Sequence, residues 1–173
     1  MRVVAGSFRH RELVWPKSQT IRPTKDMVRE ALFSALGQKV INSVVLDLFA
    51  GSGALAIEAL SRGAKFAYFV DHDKLAIEAI KQNLTNLAIK NAQVYLLDYQ
   101  DALKKINEKI DILFLDPPYQ MNDYQSIIDQ VNHLLNDKSV IIIESDSLVK
   151  IKMPMNKMKE YKYGKTFVTI LWK

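Results

Sequence analysis

One stretch near the middle of the chain, residues 44–53, constrains the fold more than any other. Its sequence is Val-Val-Leu-Asp-Leu-Phe-Ala-Gly-Ser-Gly, and a helical pattern follows from Ala54. A continuous run of β-branched and aliphatic residues is typical of a strand that is covered on both faces, as in a parallel sheet. Gly51 and Gly53 allow a tight turn or a close approach of the backbone to a ligand. The stretch therefore predicts a buried strand, a ligand-binding turn and a helix in succession.

Strand-like and helix-like patterns alternate from residue 44 onward. The predicted strands are 44–49, 66–70, 92–97, 110–115 and 139–144, and the predicted helices are 54–62, 74–87, 99–106 and 124–135. Strands joined by helix-length connections indicate right-handed crossovers and a doubly wound parallel sheet. Residues 158–163 and 166–172 flank Gly164-Lys165 and predict an antiparallel hairpin at the sheet edge. The sequence thus predicts an α/β fold with a mostly parallel, seven-stranded sheet.

The first 37 residues differ from this pattern. Residues 1–21 alternate weakly around Gly6-Ser7 and predict a basic hairpin arm, and residues 22–37 predict a leading helix with Thr24 as N-cap and Gly37 at its end. The apolar face expected for this helix comprises Met27, Val28, Ala31, Leu32, Ala35 and Leu36. No linker or repeat interrupts the sequence, so we expect a single domain over 1–173 with its core at 38–173.

Composition narrows the setting in which the chain works. Cysteine is absent, which excludes disulfides and thiolate metal sites, and no apolar run approaches the ~20 residues that span a bilayer. A 49% hydrophobic and 25% charged composition is that of an ordinary soluble protein. We expect a cytoplasmic monomer with no metal and no membrane partner.

Charge is distributed unevenly along the chain. Residues 1–39 hold 8 Lys/Arg against 3 Asp/Glu, residues 147–173 hold 7 against 1, and residues 40–146 hold 9 against 15. Two basic ends around an acidic centre favour a partner with a phosphate backbone. For the lysines of the tail, a plain solvated surface explains the pattern equally well.

Two kinds of nucleotide ligand fit the turn after the first predicted strand. Gly51-x-Gly53-x-x-Ala56, with Asp71 twenty residues after Gly51, fits a dinucleotide-binding fingerprint. Asp47 argues against a dinucleotide, because a carboxylate beside the turn would repel the pyrophosphate. S-adenosylmethionine carries an ammonium and a sulfonium and no phosphate, so it suits Asp47 better.

Acidic residues also follow three further predicted strands, as Asp71, Asp98 and Asp116. Ligands of a doubly wound sheet bind beyond the carboxyl ends of its strands. Asp71 can then accept hydrogen bonds from the ribose hydroxyls, and Asp98 can accept them from the adenine amino group. For Asp47 and Asp98 a purely structural role, such as capping backbone N–H groups, stays open.

The fourth predicted strand is followed by Asp116-Pro117-Pro118-Tyr119. Because the two prolines restrict the backbone, this segment holds a carboxylate, a free carbonyl and an aromatic ring in fixed positions. This set suits methylation of an exocyclic amine on a nucleobase. The carboxylate and the Pro117 carbonyl can accept the two amine hydrogens and stabilise the developing positive charge. The ring of Tyr119 can stack on an extruded base.

Longer motifs narrow the class of enzyme. Residues 47–53 (Asp-x-Phe-Ala-Gly-Ser-Gly) with 116–119 (Asp-Pro-Pro-Tyr) resemble the amino-methyltransferases that act on nucleic acid. Residues 22–33, 51–64 and 163–166 extend the likeness over nearly the whole chain. Together they resemble the RsmD family, bacterial S-adenosylmethionine-dependent enzymes with a Rossmann-like fold that methylate N2 of a guanine in small-subunit (16S) ribosomal RNA.

The resemblance implies a role for each matched position. The implied cofactor-binding residues are Arg22, Thr24, Asp47, Phe49, Gly51, Ser52, Gly53, Asp71 and Asp98. The implied catalytic residues that hold the guanine are Asp116, Pro117, Pro118 and Tyr119. The implied RNA contacts, on free RNA or on a partly assembled subunit, are Arg2, Arg9, Arg11, Lys25 and Arg29. Asp71 departs from the longer Glu common in the family, and Ala56 replaces a common glycine.

Three other functions compete with this interpretation. A DNA adenine-N6 methyltransferase shares the Asp-Pro-Pro-Tyr sequence but usually needs a further region to recognise duplex DNA. A non-catalytic RNA-binding module would not need the acidic strand ends. An NAD-dependent oxidoreductase gives no role to Asp47 or Asp116.

Overall fold

A seven-stranded sheet forms the centre of the protein. The computed structural model describes residues 1–16, 26–118, 121 and 123–173. The strands are β1 (Val44–Asp47), β2 (Phe66–Asp71), β3 (Ala92–Leu96), β4 (Ile110–Leu115), β5 (Leu135–Ser145), β6 (Lys157–Tyr163) and β7 (Thr166–Trp172). They lie in the order β3-β2-β1-β4-β5-β7-β6, with β1 to β5 parallel and β7 antiparallel to both β5 and β6. The predicted α/β fold with a seven-stranded, mostly parallel sheet is confirmed.

Helices cover both faces of this sheet. They are α1 (Asp26–Leu36), α2 (Ala54–Ser61), α3 (Lys74–Asn86), α4 (Tyr99–Leu103) and α5 (Tyr124–Val131), with 3-10 turns at Gly37–Val40 and Asn132–Leu134. One core cluster joins α1, α2 and α3 to one face, and a second joins α4 and α5 to the other. The alternation of buried side chains along each strand produces these two layers, because successive residues point to opposite faces.

Two predicted strand boundaries are wrong by more than one residue. β1 ends at Asp47, so Leu48 and Phe49 already belong to the turn. β5 begins at Leu135 instead of residue 139, since Leu135 pairs with Ile110 before an irregularity in the register. The early end of β1 matters for function because it places the Asp47 carboxylate at the end of its strand.

The N-terminal arm forms a short hairpin that is fastened to α2. An isolated antiparallel bridge joins Arg2 and Glu12, and the predicted hairpin is thus present with very little regular pairing. The carboxylate of Glu58 is fully buried and accepts hydrogen bonds from the backbone N–H of Val4 at 2.7 Å and of Ala5 at 3.0 Å. Backbone amides of the arm are therefore satisfied by a side chain of the core, which holds the arm in place.

The leading helix differs from its prediction in which side chains it buries. Met27, expected on the apolar face, is 64% exposed, whereas the Arg29 side chain is fully buried. Gly37, at φ +55°, follows the last residue of α1 as predicted. The predicted N-cap, Thr24, lies outside the described residues.

Candidate functional site

Two acidic residues meet where the strand order reverses. β1 and β4 are neighbours in the sheet although two other strands separate them in sequence, and Asp47 is in register with Phe114. The backbone N–H of Leu48 donates to the carbonyl of Phe114 at 3.2 Å. Asp116 follows β4 directly and is half-buried, so its position is beside the turn that Asp47 begins. A doubly wound sheet opens its ligand crevice at this point.

The glycine turn after β1 is held by hydrogen bonds from the next strand. Gly51 and Gly53 have φ values of +55° and +78°, a region in which glycine carries no steric penalty. Asp71, at the end of β2, accepts from the N–H of Gly51 at 2.8 Å and from that of Asp73 at 2.9 Å. Its carboxylate thus shapes the turn, and each oxygen keeps a lone pair for a ligand.

Asp47 is a buried acid with an altered affinity for protons. Its side chain is 1% exposed, and burial raises its pKa to about 7. The hydrogen bond from the backbone N–H of Ala56 opposes this shift, and the negative charge of Asp71 adds to it. Burial makes this carboxylate costly to ionise in the absence of a cation. The same burial strengthens its attraction to a cation bound beside it.

Asp116 lies in the same electrostatic environment. Burial raises its pKa well above the ordinary value, and the negative charges of Glu144 and Asp47 raise it further. We call Asp47, Asp116 and Glu144 the carboxylate cluster. Burial and the two neighbouring negative charges therefore make Asp116 a stronger base than an ordinary aspartate.

Sequence reasoning misses Glu144 as a member of this site. It stands near the end of β5, the strand beside β4, and its backbone carbonyl accepts from the Tyr124 hydroxyl at 3.4 Å. The same rule that selects Asp71, Asp98 and Asp116, an acid at a strand end, applies to it. The prediction uses the rule only for acids that follow a predicted strand, whereas Glu144 is the last residue within the predicted strand 139–144.

Asn83 is a second residue that sequence reasoning misses. It is fully buried on α3, and its amide nitrogen donates to the carbonyls of Ser52 at 3.1 Å and Val14 at 3.0 Å. Its oxygen accepts from the N–H of Val14 at 2.7 Å. One side chain thereby joins the glycine turn to the arm. An Asn between Ile80 and Leu84, on the apolar face of a helix, is the available sign.

The other residues predicted to bind the cofactor lie around the same edge. Asp98 is exposed and caps α4 by accepting from the N–H of Gln100 at 3.0 Å. The ring of Phe49 packs against that of Tyr99 with centroids 5.6 Å apart. Ser52 is buried in the turn. Arg22 and Thr24 lie outside the described residues.

The predicted acceptor site is only partly described. β4 ends at Leu115, and in the segment after it Pro117 is buried and Pro118 is exposed. The carbonyl of Pro118 accepts from the N–H of Met121 at 2.7 Å. Tyr119 lies outside the described residues.

The arginines predicted to contact RNA separate into two groups. Arg2, Arg9 and Arg11 are exposed on the arm, with Arg2 3.6 Å from the carboxylate of Asp26. Arg29 is instead fully buried, and its guanidinium donates to Asp26 and to the backbone carbonyl of Arg2. The prediction of a direct RNA contact at Arg29 is corrected accordingly, because its position between α1 and the arm gives it a structural role. Lys25 lies outside the described residues.

Neither a metal site nor a membrane-spanning helix is present in the described part of the chain. Within 1–16, 26–118, 121 and 123–173, no group of three or more His, Cys, Asp or Glu side chains is arranged to hold a metal ion. None of the helices in these ranges has the length and apolar character that crossing a membrane requires.

Known proteins resemble this chain along almost its full length. The family model described as Conserved hypothetical protein 95 matches residues 1–172. YlbH of Bacillus subtilis (strain 168) is 36% identical, over 98% of this chain and 97% of that protein. The Ribosomal RNA small subunit methyltransferase D of Escherichia coli (strain K12) is 36% identical, over 84% of this chain and 75% of that protein. The solved structure of yhhF from Escherichia coli matches with a TM-score of 0.89 and 30% identity, over 100% of this chain and 97% of that one.

Proposed function

The chain belongs to the RsmD-type family of methyltransferases, the family described as Conserved hypothetical protein 95, and we propose that it methylates the exocyclic N2 amine of a guanine in 16S ribosomal RNA. The methyl donor is S-adenosylmethionine. We propose further that residues 1–173 act as one domain and as a monomer, in which residues 1–37 precede a core at 38–173.

The donor side of the site fits this cofactor. Asp47 is buried beside the glycine turn, where burial raises its pKa to about 7, so its ionised form gains strongly from a nearby cation. When bound, the cofactor supplies an ammonium group and a methyl group activated by a sulfonium. Asp71 accepts hydrogen bonds from the ribose hydroxyls, through the lone pairs that are not used by its two hydrogen bonds to backbone N–H groups. Asp98, Phe49, Ser52 and the residues of the 22–24 segment complete the proposed cofactor site.

The acceptor side rests on Asp116. Its carboxylate and the carbonyl of Pro117 receive the two hydrogens of the guanine amine, which turns the nitrogen lone pair toward the methyl group. The positive charge that develops on nitrogen is stabilised by the nearby acids, and Asp116 is poised by its raised pKa to take the proton that nitrogen releases. Pro118 and Tyr119 hold the base in place.

The neighbouring positions of β1 and β4 are the observation that carries this proposal. Asp47 ends one strand and Asp116 follows the next, so a donor beside the first lies within reach of an acceptor beside the second. Holding two reactants in line supplies a large part of the acceleration in reactions of this kind.

The exposed arginines of the arm supply the first RNA contacts. Arg2, Arg9 and Arg11 present positive charge on an element that is fastened to α2 and α3. Phosphate contacts of this type position a nucleic acid without reading its sequence.

Methyl transfer to defined nucleic acids tests the proposal. The protein is incubated with labelled S-adenosylmethionine and unmodified 16S RNA, small-subunit assembly intermediates or duplex DNA, and the product nucleoside is identified by mass spectrometry. We expect N2-methylguanosine at one position of the RNA or of an intermediate. N6-methyladenine in DNA, or no transfer to any of the three, would overturn it.

A further inference from the structure

The tip of the C-terminal hairpin lies at the same edge of the sheet as the carboxylate cluster. β7 runs antiparallel to β5, with Phe167 in register with Ser145. Tyr163 pairs with Thr166 at the other end of the turn, so the tip and the carboxyl end of β5 share one edge. Neighbouring strands are about 4.8 Å apart, and β6 is three strands from β4, which places the tip ~14 Å along the edge from Asp116.

Four exposed lysines surround this end of the sheet, and we call them the tail surface. They are Lys150, Lys152, Lys162 and Lys165. The segment that carries Lys152 is tied to the first turn of α5, since its backbone N–H donates to the Gln125 side chain at 2.7 Å. Exposed acids also lie in this region, namely Asp146, Asp123 and Asp129 near the Lys152 segment, and Glu160 two residues before Lys162. The positive charge is therefore concentrated at the hairpin tip, at Lys162 and Lys165, on the edge where the sheet opens toward the proposed acceptor site.

Aromatic rings lie on both faces of this hairpin, those of Tyr161 and Tyr163 against the cluster of α1 to α3 and that of Phe167 beside Lys162. Tyr161 and Tyr163 stack with centroids 6.3 Å apart and both are half-buried. The ammonium of Lys162 lies 5.1 Å from the ring centre of Phe167. Rings held by packing, next to ammonium groups that can meet phosphates, are the features by which single-stranded nucleic acid is bound without sequence preference.

We propose that the tail surface binds the RNA strand that flanks the target nucleotide. The inference rests on the proposed function and adds a second RNA contact, on the far side of the acceptor site from the arm. The arm lies against α2 and α3, with Ser7 and Phe8 hydrogen-bonded to Ser61 and Arg11 hydrogen-bonded to Asn86, whereas the hairpin tip lies at the other side of the sheet, beyond β5. An RNA that spans both places its target base at Asp116 between them.

A matched pair of charge reversals tests this proposal. Lys162→Glu with Lys165→Glu alters the tail surface, and Lys157→Glu with Lys138→Glu makes the same change of charge at the opposite edge. Lys157 is well matched to Lys162 because it lies on the same strand, β6, with its ammonium 5.3 Å from the ring centre of Trp172. Binding of labelled 16S RNA fragments is measured as a function of salt, together with cofactor affinity and methyl transfer by the full-length protein.

We expect the tail variant to bind RNA about tenfold more weakly than the edge variant. The slope of the logarithm of RNA affinity against the logarithm of salt concentration should become shallower by about one for each phosphate contact that the variant loses. Cofactor affinity and melting temperature should be equal in the two. The milder pair Lys162→Gln with Lys165→Gln should show a smaller decrease in the same direction. Because these lysines are exposed, unfolding is not expected to mask the result.

Each other outcome has a definite meaning. Equal RNA binding by the two charge reversals, in a protein that methylates RNA normally, overturns the tail surface and leaves the proposed function standing. Weaker binding only to assembly intermediates that contain protein, and not to naked RNA, overturns it in favour of a protein contact. A wild-type chain that neither binds nor methylates 16S RNA removes both proposals.

Discussion

The side-chain amide of Asn83 donates a hydrogen bond to the backbone carbonyl of Ser52 at 3.1 Å, while the same side chain pairs with both backbone groups of Val14. The turn that holds the proposed cofactor and the arm that meets the proposed RNA thus share one buried residue. A substitution at Asn83 therefore alters both the turn and the arm, although Asn83 itself contacts neither proposed ligand.

Asn83→Ala should lower the free energy of unfolding and weaken cofactor binding. The substitution leaves the Val14 N–H and the carbonyls of Val14 and Ser52 without their partner, which costs about 1–3 kcal/mol for each buried polar group. Urea denaturation and calorimetry with S-adenosylmethionine measure the two effects. Asn86→Ala, at the exposed end of the same helix, is the control, and equal behaviour of the two variants would contradict the proposed link.

Asp116→Asn should abolish most methyl transfer and leave cofactor affinity nearly unchanged. The amide keeps the shape of the carboxylate and one acceptor oxygen, but it carries no negative charge and does not accept a proton. Loss of one such interaction typically costs about 2–4 kcal/mol in the barrier, or roughly a thirty- to a thousandfold decrease in rate. Single-turnover transfer of a labelled methyl group gives the rate. Full activity in this variant would refute the assignment of Asp116.

Glu144→Gln should move the acid limb of the pH–rate profile to lower pH. The charge of Glu144 helps to raise the pKa of Asp116, so its removal brings that pKa closer to the ordinary value. Transfer that needs ionised Asp116 then reaches its plateau at a lower pH. Glu160→Gln, on an exposed position of β6, is the control with the same chemistry and should leave the profile in place. A shift toward higher pH would contradict the coupling.

The cofactor-free protein should lose stability as the pH rises from about 4 to about 7. Folded Asp47 binds its proton up to a pKa of about 7, whereas the unfolded chain releases it near 3.8. Between these values the folded state holds the additional proton, so raising the pH favours unfolding, by on the order of 4 kcal/mol in total for this group. Asp116 acts in the same direction.

Denaturation at a series of pH values, with Asp47→Asn as the comparison, measures this dependence. The variant should show a flatter curve, because only the contribution of Asp116 remains. Affinity for the cationic cofactor should rise over the same pH interval in the wild-type protein, since the ionised form of Asp47 is the one that binds a cation. A pH-independent affinity would contradict this.

Gly53→Ala should destabilise the fold more than Gly164→Ala. Both glycines have positive φ, +78° and +65°, so both substitutions carry a similar backbone penalty. A methyl group at Gly53 would also lie 3.0 Å from the Phe69 ring and 3.2 Å from Ile80, whereas at Gly164 nothing lies within 4 Å. We expect an additional decrease of about 1–3 kcal/mol in the free energy of unfolding at Gly53. Equal decreases in denaturant melts would show that the turn can move away from the ring.

The fold was largely predictable because its local patterns agree with its tertiary structure. β4 and β7 have the predicted bounds, since β4 is an apolar run that Asp116-Pro117 follows and β7 begins directly after the Gly164-Lys165 turn. The 99–106 helix ends earlier, at Leu103, and β5 starts earlier, at Leu135. Such ends are set by contacts with neighbouring strands, which spacing along the chain does not report.

Candidate residues for the site could be chosen only where a residue type, at its place along the chain, indicates its chemistry. The carboxyl ends of parallel strands all lie at the same edge of a sheet. Acids that end such strands could therefore be chosen as candidate site residues, as Asp47, Asp71 and Asp116 were. Asn83 could not be chosen in this way, because its role depends on hydrogen bonds to Val14 of the arm, which is distant from it in sequence. Arg29 was misjudged for the same reason, since its charge suggested the surface while Asp26 and the arm enclose it.

The raised pKa values of Asp47 and Asp116 have a consequence for turnover. S-adenosylmethionine enters the reaction with a sulfonium and leaves it as a neutral thioether, so one positive charge disappears beside acids that burial already makes costly to ionise. The empty and product-bound sites are then both electrostatically less favourable than the substrate-bound site. A site of this kind favours the sulfonium of the donor over the thioether of the product by charge, while the ammonium group that both ligands carry keeps its acidic partner.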